Sequence, residues 1–331
     1  MTQPDASVLN DLLQEFLITL RGTFNSKEPR GLYAPIDYIL DLGGKRVRPL
    51  VTLLAGRMFG DVDQRATMPV ALAVEVFHNF TLLHDDVMDE SPLRRGRPTV
   101  HEKWDVNTAI LSGDLMLIQA YQYLCECPNK SAIPEMLLTF NRVATGVCEG
   151  QQYDVDFEVR DDVSIDEYLK MIELKTAVLL GGALELGALA AGASRADADH
   201  LYAFGRLTGL AFQLQDDLLD TFGDSASTGK RTGNDIIRNK KTFLFLKALE
   251  ILGTEGQDEL NRWYASSPDD PAEKVVRVTT MMNQAGIPEA VAALRDEFQE
   301  EAYAHLAAAG GDPGTKAVLR RLAEGLLKRI S

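Results

Sequence analysis

Apolar positions recur three and four residues apart along nearly the whole chain, the spacing of amphipathic helices. Residues 7–24 (SVLNDLLQEFLITLRGTF) open the series behind Ser7, a suitable N-cap. A loop rich in Gly and Pro follows around Lys27 to Pro35, then a short helix from Ile36 to Leu42 that stops at Gly43-Gly44. Two helices are expected over 46–60 and 65–89, and the pattern breaks at Ser91-Pro92 and the loop RRGRPT. It resumes over about 105–126, 131–158, 164–192 and 195–222. A polar, glycine-containing segment, Gly223 to Asn234, interrupts it, and helical stretches then cover roughly 235–252, 255–266, 270–284, 287–308 and 313–330. No strand pair with a hairpin turn and no alternating strand–helix rhythm stands out, so the fold class is all-α. With no Gly/Ser-rich linker and no fixed short repeat, residues 1–331 are expected to form a single domain rather than a solenoid.

Composition narrows the class. Apolar residues make up 45% and charged residues 25% of 331, the balance of a soluble globular protein with an ample core. The N-terminal segment carries Asp5 and Asp11 and no basic stretch before an apolar run, so no secretory leader is expected. Ala177 to Ala193 is the most apolar stretch. It is shorter than the roughly 20 residues of a membrane span and contains Glu185, so a buried helix is expected and stable membrane insertion is not. Cys125, Cys127 and Cys148 form neither a disulfide framework nor a C-x-x-C metal site, and a reducing cytoplasm suits them. A net charge of −15 argues against nucleic acid and anionic membranes as partners. It also means that an anionic substrate must be attracted by local cations, either metals or tight basic clusters.

Two stretches carry the chemistry. Asp85, Asp86 and Asp89 in HDDVMD have the spacing D-D-x-x-D, and Asp216, Asp217 and Asp220 in QDDLLD repeat it. On a helix, residues four apart share a face and the next residue is turned by about 100°. Asp85 and Asp89 therefore project together with Asp86 on the flank, and the second triad does the same. An acidic run of this kind is often only a solvated surface. Here both triads follow apolar runs, FTLL and GLAFQL, which suggests buried helices. Crowded, buried carboxylates need a counter-charge. A hard divalent cation such as Mg²⁺, shared with a phosphate, supplies it. Two helices are expected to bring the triads face to face around bridging metals and a diphosphate.

Basic residues gather where loops meet helices: Lys45, Arg46 and Arg48 after Gly43-Gly44; Arg94, Arg95 and Arg97 beyond Asp89; Lys230 and Arg231; Lys240 and Lys241. Arginine forks and lysine point charges both suit phosphate, although any one such group equally suits a solubilising surface. Lys175 differs, because it lies among Leu, Ala and Val and needs a partner. His78 and His84 flank the first triad, and His78 lies on a face that can approach a phosphate.

Taken together, GGKRVRP (43–49), HDDVMD…RRGRPTVH, the Lys-Thr pair 175–176, GLAFQLQDDLLD and NKKT (239–242) resemble the trans-isoprenyl diphosphate synthases, or polyprenyl synthetases, over most of the chain. The resemblance implies an all-α isoprenoid-synthase bundle around a central cavity, usually homodimeric, that joins isopentenyl diphosphate head-to-tail to an allylic diphosphate. It implies Mg²⁺ as cofactor, three ions with substrate bound and Mn²⁺ as an alternative, held by Asp85, Asp86, Asp89, Asp216 and Asp217 with Asp220 in support. It assigns Arg94, Lys175, Lys230 and Lys240 to the allylic diphosphate, and Lys45, Arg48, His78 and Arg95 to isopentenyl diphosphate. Thr176, Gln213, Gln151 and Asp154 match pocket positions near the reacting groups.

Product length is expected to be set below the first triad. At about 1.5 Å per residue, Phe80 lies roughly 7–8 Å and Phe77 roughly 12 Å below Asp85. Ideal helix angles favour Thr81 and Phe77 over Phe80, so the residues leave the floor open among the three. The family comparison points to Phe80, five residues before the motif, and to a geranylgeranyl (C20) product with farnesyl (C15) as the alternative. A class I terpene cyclase is disfavoured by the second D-D-x-x-D and by Lys45, Arg48 and His78. A head-to-head synthase has other Asp spacings and lacks RRGRPT. A non-catalytic partner subunit would have lost a triad or the basic loop. The C-terminal Lys328-Arg329 suits closure over the isopentenyl site or simply a helix C-terminus.

Overall fold

The computed structural model describes residues 3–21, 23–24, 26–223, 232–266, 268 and 271–328. These are almost entirely helical, so the fold is all-α, as the apolar pattern predicts. The helices are α1 (Gln3–Leu20), α2 (Arg30–Asp41), α3 (Val47–Met58), α4 (Thr67–Met88), α5 (Val100–Lys103), α6 (Val106–Glu126), α7 (Ile133–Val159), α8 (Ile165–Ile172), α9 (Val178–Ala190) and α10 (Arg195–Phe222). They continue as α11 (Asn234–Ile237), α12 (Phe243–Ile251), α13 (Thr254–Ala265), α14 (Pro271–Gln284), α15 (Ile287–Ala308) and α16 (Pro313–Leu327).

Four local features depart from the sequence pattern. Helix α2 begins at Arg30 rather than Ile36, because the Glu28 carboxylate accepts the Arg30 N–H at 2.7 Å and Pro35 is carried inside the helix. A proline there forfeits one backbone bond, which packing of its ring against the core offsets. Residues 93–98 form a small hairpin, β1 (Leu93–Arg94) paired antiparallel with β2 (Arg97–Pro98), where no strand pair was expected. Its two turn residues, Arg95 and Gly96, both have positive φ (53° and 74°), the geometry whose twist matches a two-residue hairpin. The predicted helix 164–192 contains a π-helical turn, Glu173–Ala177. The stretch 235–252 divides into α11 and α12, because Asn239 adopts a left-handed conformation, φ 59°.

The chain groups into two compact units. The first comprises Met1–Asn141, Ala183–Leu201 and Ala309–Leu319. In it α4 packs against α6 and α3, and Leu53, Leu54, Val74, Phe77, Leu83 and Met116 are fully buried. Gly113 of α6 is where a side chain would strike the His84 ring, so a residue without Cβ lets α6 approach α4 closely. The second unit comprises Arg142–Gly182, Tyr202–Ala308 and Arg320–Ser331. Its core runs through Phe157, Tyr168, Leu210, Leu214, Phe243, Phe245, Leu260 and Val278. The apolar stretch around α9 is buried, as expected, and Glu185 within it is paired, to Arg195 Nη2 at 2.6 Å and Thr139 Oγ1 at 2.7 Å. No helix of the described residues is long and apolar enough to cross a membrane.

Candidate active site

In the first unit, three backbone devices gather cations around one histidine. Gly43 and Gly44 take φ of 83° and 125°, and Arg46 turns left-handed, φ 49°, as the N-cap of α3. A Cβ on Gly44 would lie 2.8 Å from the Arg95 guanidinium, so the glycines do more than end a helix: they admit Arg95, whose Nη1 donates to the Gly43 carbonyl. The hairpin that presents Arg95 is itself fixed, because Tyr38 Oη donates to the Pro98 carbonyl at 2.7 Å and Thr99 Oγ1 to the Ser91 carbonyl at 2.8 Å. Arg46 is buried and ion-paired to the equally buried Glu75 of α4, and also donates to the Leu40 carbonyl. Asn79 Nδ2 donates to Glu75 Oε1 at 2.9 Å, one residue from His78.

His78 faces this group. Arg48 Nη1 lies 3.3 Å from its Nε2. Enclosure by protein, then the charges of Arg48, Arg95, Arg94 and Arg46, hold the His78 pKa well below its ordinary value, so the ring is neutral and accepts from Arg48. Arg46 is committed to Glu75 and Arg94 to Asp86, at 2.7 Å. Among the described residues Arg48 has its hydrogen bond with a neutral imidazole and Arg95 with a carbonyl oxygen, so neither is held in an ion pair and both can turn to an incoming anion, although Glu75 acts on both and Asp86 on Arg95 at longer range.

The first triad ends α4, about two turns beyond His78. Its three carboxylates are not equally buried, contrary to the expectation from the apolar run. Asp86 is 3% exposed, Asp85 is half-buried, and Asp89, the C-cap, is exposed. The i+1 position turns inward because the packed face of α4 runs through Val76, Leu83 and Asp86 rather than beneath Asp85. Asp86 Oδ2 accepts from Arg94 Nε, while Asp86 Oδ1 is buried and meets no hydrogen-bond donor.

The second unit repeats this pattern on α10. Asp217 is 4% exposed, with Asp216 and Asp220 half-buried. Burial pushes its carboxyl up to about 7, reinforced by Asp235 and Asp216 and opposed by hydrogen bonds from Tyr168 Oη (2.5 Å) and Gln213 Nε2 (3.1 Å). Lys175 finds the partner its surroundings demand, the Asp154 carboxylate on α7. Lys175 and Thr176 occupy the π turn, and two glycines on neighbouring helices leave room for it. A Cβ at Gly150 of α7 would overlap the Lys175 backbone, and one at Gly209 of α10 would lie 2.7 Å from Ala177 Cα. Lys240 lies past α11, exposed, with Nζ 4.0 Å from Asp235 Oδ1.

Among the described residues no three His, Cys, Asp or Glu side chains converge tightly enough to hold a metal by themselves. The residues nonetheless fit a hard divalent cation. A buried carboxylate oxygen without a donor (Asp86) and a buried carboxyl held near neutrality (Asp217) are groups that a cation would satisfy. Mg²⁺ ordinarily completes its shell with phosphate and water rather than with a protein cage.

Residues 29–282 match the family model described as Polyprenyl synthetase. The chain belongs to the polyprenyl synthetase family. It is therefore an enzyme, a trans-prenyltransferase. A geranylgeranyl diphosphate synthase of Methanosarcina mazei is 42% identical over 223 residues, 67% of this chain and 68% of that one. A crystal structure of a geranylgeranyl pyrophosphate synthase superposes with a TM-score of 0.92 at 46% identity, covering 98% of this chain and 99% of the other. The geranylgeranyl pyrophosphate synthase of Corynebacterium glutamicum, solved with isoprenyl diphosphate and magnesium, superposes with a TM-score of 0.82 at 28% identity, covering 99% of both chains.

Within this polyprenyl synthetase, the motif residues of the first unit lie close together: Arg48, His78, Arg94 and Arg95 by the interactions above, with Lys45 beside Gly44. In the second unit Gln213 touches Asp217, and Lys175 and Thr176 share one turn. Lys230 and Arg231 lie outside the described residues, as does Arg329. Phe77 is a core ring, 1% exposed and edge-on to Phe140, whereas Phe80 is half-buried against His84. Thr81 turns its hydroxyl to the His78 carbonyl at 2.8 Å. Sequence reasoning missed Tyr168, which no pattern marks, and the Arg46–Glu75–Asn79 network. Glu75 had a signal, a lone charge in the apolar run VALAVEVF, the same signal that singled out Lys175.

Proposed function

We propose that this polyprenyl synthetase makes geranylgeranyl diphosphate, joining isopentenyl diphosphate head-to-tail to an allylic diphosphate and releasing diphosphate. The observation that carries this is the cation group around a neutral His78, two turns from a carboxylate triad: an anion site beside a candidate cation site. Lys45, Arg48 and Arg95, with His78, hold the diphosphate of isopentenyl diphosphate. Arg94, Lys175 and Lys240, with Lys230, hold that of the allylic substrate. Asp85, Asp86 and Asp89, and Asp216 and Asp217 with Asp220, hold up to three magnesium ions. When bound, magnesium neutralises the departing diphosphate and so eases cleavage of the allylic C–O bond.

The double bond of isopentenyl diphosphate then attacks the allylic carbon, forming the new C–C bond. The proton lost from isopentenyl diphosphate passes to the released diphosphate, since no side chain stands out as its base. Asp154 is spent on Lys175, and His78 faces guanidinium groups, which disfavour its protonation. Thr176 and Gln213 orient the reacting groups. The apolar helices exclude water that would trap the allylic cation. Names of relatives at 42% and 46% identity support a C20 product. The half-buried Phe80 supports that ring, rather than the core ring Phe77, as the floor for the growing tail. We further propose a cytoplasmic homodimer.

The test is incubation with Mg²⁺, isopentenyl diphosphate and dimethylallyl, geranyl or farnesyl diphosphate, followed by chromatography of the dephosphorylated products. A C20 alcohol that disappears with chelator, or with a folded Asp85→Ala variant, is the expected result. A C15 or C25 alcohol overturns the product assignment. Absence of any condensation overturns the reaction.

A further inference from the structure

A buried cation lies outside the motifs in the second unit. Lys274 of α14 is 2% exposed, yet its ammonium has no carboxylate within ion-pair distance among the described residues. Its Nζ donates to Asn239 Oδ1, to the Ser266 carbonyl at 2.9 Å and to the Tyr264 carbonyl at 3.5 Å, and lies 5.6 Å from the centre of the Tyr264 ring. An ammonium buried against neutral acceptors is costly, and a hydrocarbon of the same length would fill the space more cheaply. Its bonds to the Tyr264 and Ser266 carbonyls cap the C-terminal end of α13, a structural role; a role at the site needs a further contact.

The contact to Asn239 supplies one. Asn239 has the left-handed backbone, φ 59°, that divides α11 from α12, and it immediately precedes Lys240. Asparagine adopts that conformation more readily than other non-glycine residues, and a contact to its side chain holds it there more firmly. The segment 233–242 is anchored at its other end by the second triad: Gly233 N donates to the Asp220 carbonyl at 2.6 Å and Asp235 N to Asp220 Oδ2 at 2.9 Å. Between the anchors, Lys240 N donates to the Asp235 carbonyl at 2.9 Å and Thr242 N to the Lys240 carbonyl at 3.0 Å. The Lys240 side chain is exposed and makes only a 4.0 Å approach to Asp235, so its backbone sets where the flexible stem starts and what its ammonium can reach.

We propose that Lys274 is a positioning residue, whose buried ammonium braces Asn239 and so aims Lys240 at the diphosphate of the allylic substrate. The inference rests on the assignment of Lys240 to that diphosphate. Tyr264 extends the brace, because its ring packs 4.0 Å from Phe245 at the start of α12 and takes the Lys274 ammonium near its face.

The test is steady-state kinetics on Lys274→Met, Lys240→Ala and the double variant, with melting curves for each. Losing the aim of one charged hydrogen bond is worth about tenfold. Lys274→Met should raise the KM for the allylic diphosphate about tenfold, leave that for isopentenyl diphosphate within about twofold, and lower Tm by a few degrees at most, since the Ser266 carbonyl loses its donor. The double variant should match Lys240→Ala, since a brace has no effect once its lysine is gone. Asn239→Ala should reproduce Lys274→Met from the exposed side of the contact, which keeps the test decisive if Lys274→Met does not fold. Asn239→Asp should retain a wild-type KM through an ion pair. Equal rises in both KM values, or losses that multiply in the double variant, overturn the inference. An unchanged allylic KM in Lys240→Ala also overturns it, and places the failure in the assignment of Lys240 rather than in the brace.

Discussion

The Arg46–Glu75 pair should dominate the stability of the first unit far more than any surface ion pair. Both side chains are almost fully buried, at 4% and 3% exposure, and Glu75 also accepts from Asn79 Nδ2 at 2.9 Å. Glu75→Met leaves a buried guanidinium beside Arg48, Arg95 and Arg94. Arg46→Met leaves a buried carboxylate and strips the Leu40 carbonyl of its donor. Removing one partner of a buried pair costs about 3–5 kcal/mol. A slope of roughly 2–4 °C per kcal/mol for a large domain puts each single variant on the order of 10 °C below wild type in Tm. The double variant Arg46→Met/Glu75→Met loses both charges together. Its deficit should shrink to about 1–3 kcal/mol, the cost of the unpaired Leu40 carbonyl. Urea denaturation of the four proteins, followed by circular dichroism, gives the coupling energy directly. Single losses below about 1 kcal/mol, or losses that simply add, would refute the view that this pair is a buried, mutually dependent unit.

Three further outcomes are expected. Phe80→Ala should lengthen the product, read by chromatography of the dephosphorylated alcohols; an unchanged profile would remove Phe80 as the floor. Gly150→Ala should cost about 1–3 kcal/mol and lower kcat, because the new methyl displaces the turn that carries Lys175. By contrast, a methyl added by Gly31→Ala in α2 meets nothing within 4 Å, and that variant should be as stable as wild type or more so. His78 has a depressed folded-state pKa, so the unfolded chain binds its proton first. Stability should therefore be full above about pH 6.5 and fall as the pH drops below that, and His78→Gln should flatten this part of the curve of Tm against pH.

How much of this was legible in the sequence depended on the scale of the feature. Helices with long apolar periods, such as α4, α6 and α10, lay within a few residues of their predicted ends, because periodicity over five or more turns outweighs local preference. The triads were legible for the same reason, since their spacing is helical. What the pattern missed was set by single backbone torsions or single contacts. Arg95-Gly96 makes a hairpin turn although Arg has no preference for positive φ, and it does so because Gly44 leaves room for the guanidinium. The π turn at Glu173–Ala177 has no compositional mark, and what permits it, Gly150 and Gly209, lies far away in sequence. The inward turn of Asp86 and Asp217 could be read only once the packed side of each helix was known.

The charge distribution shows why a chain of net −15 can still receive diphosphates. Surface carboxylates more than about 8 Å from a ligand are largely screened at physiological ionic strength. A guanidinium about 4 Å from a phosphate gains on the order of 4 kcal/mol at an effective dielectric constant near 20. The outcome therefore turns on which nearby cations are already neutralised. Glu75 and Asp86 are both buried, and each takes one arginine, Arg46 and Arg94. That leaves Arg48 and Arg95, hydrogen-bonded to a neutral imidazole and a carbonyl, as the two not held in an ion pair among the described residues, with Glu75 offsetting them only at longer range. Two carboxylates thus do opposite work. Glu75 makes a crowded group of guanidinium ions tolerable before substrate arrives. Asp86 keeps one oxygen bound to Arg94 and the other without a donor, the side on which a cation would be most strongly attracted.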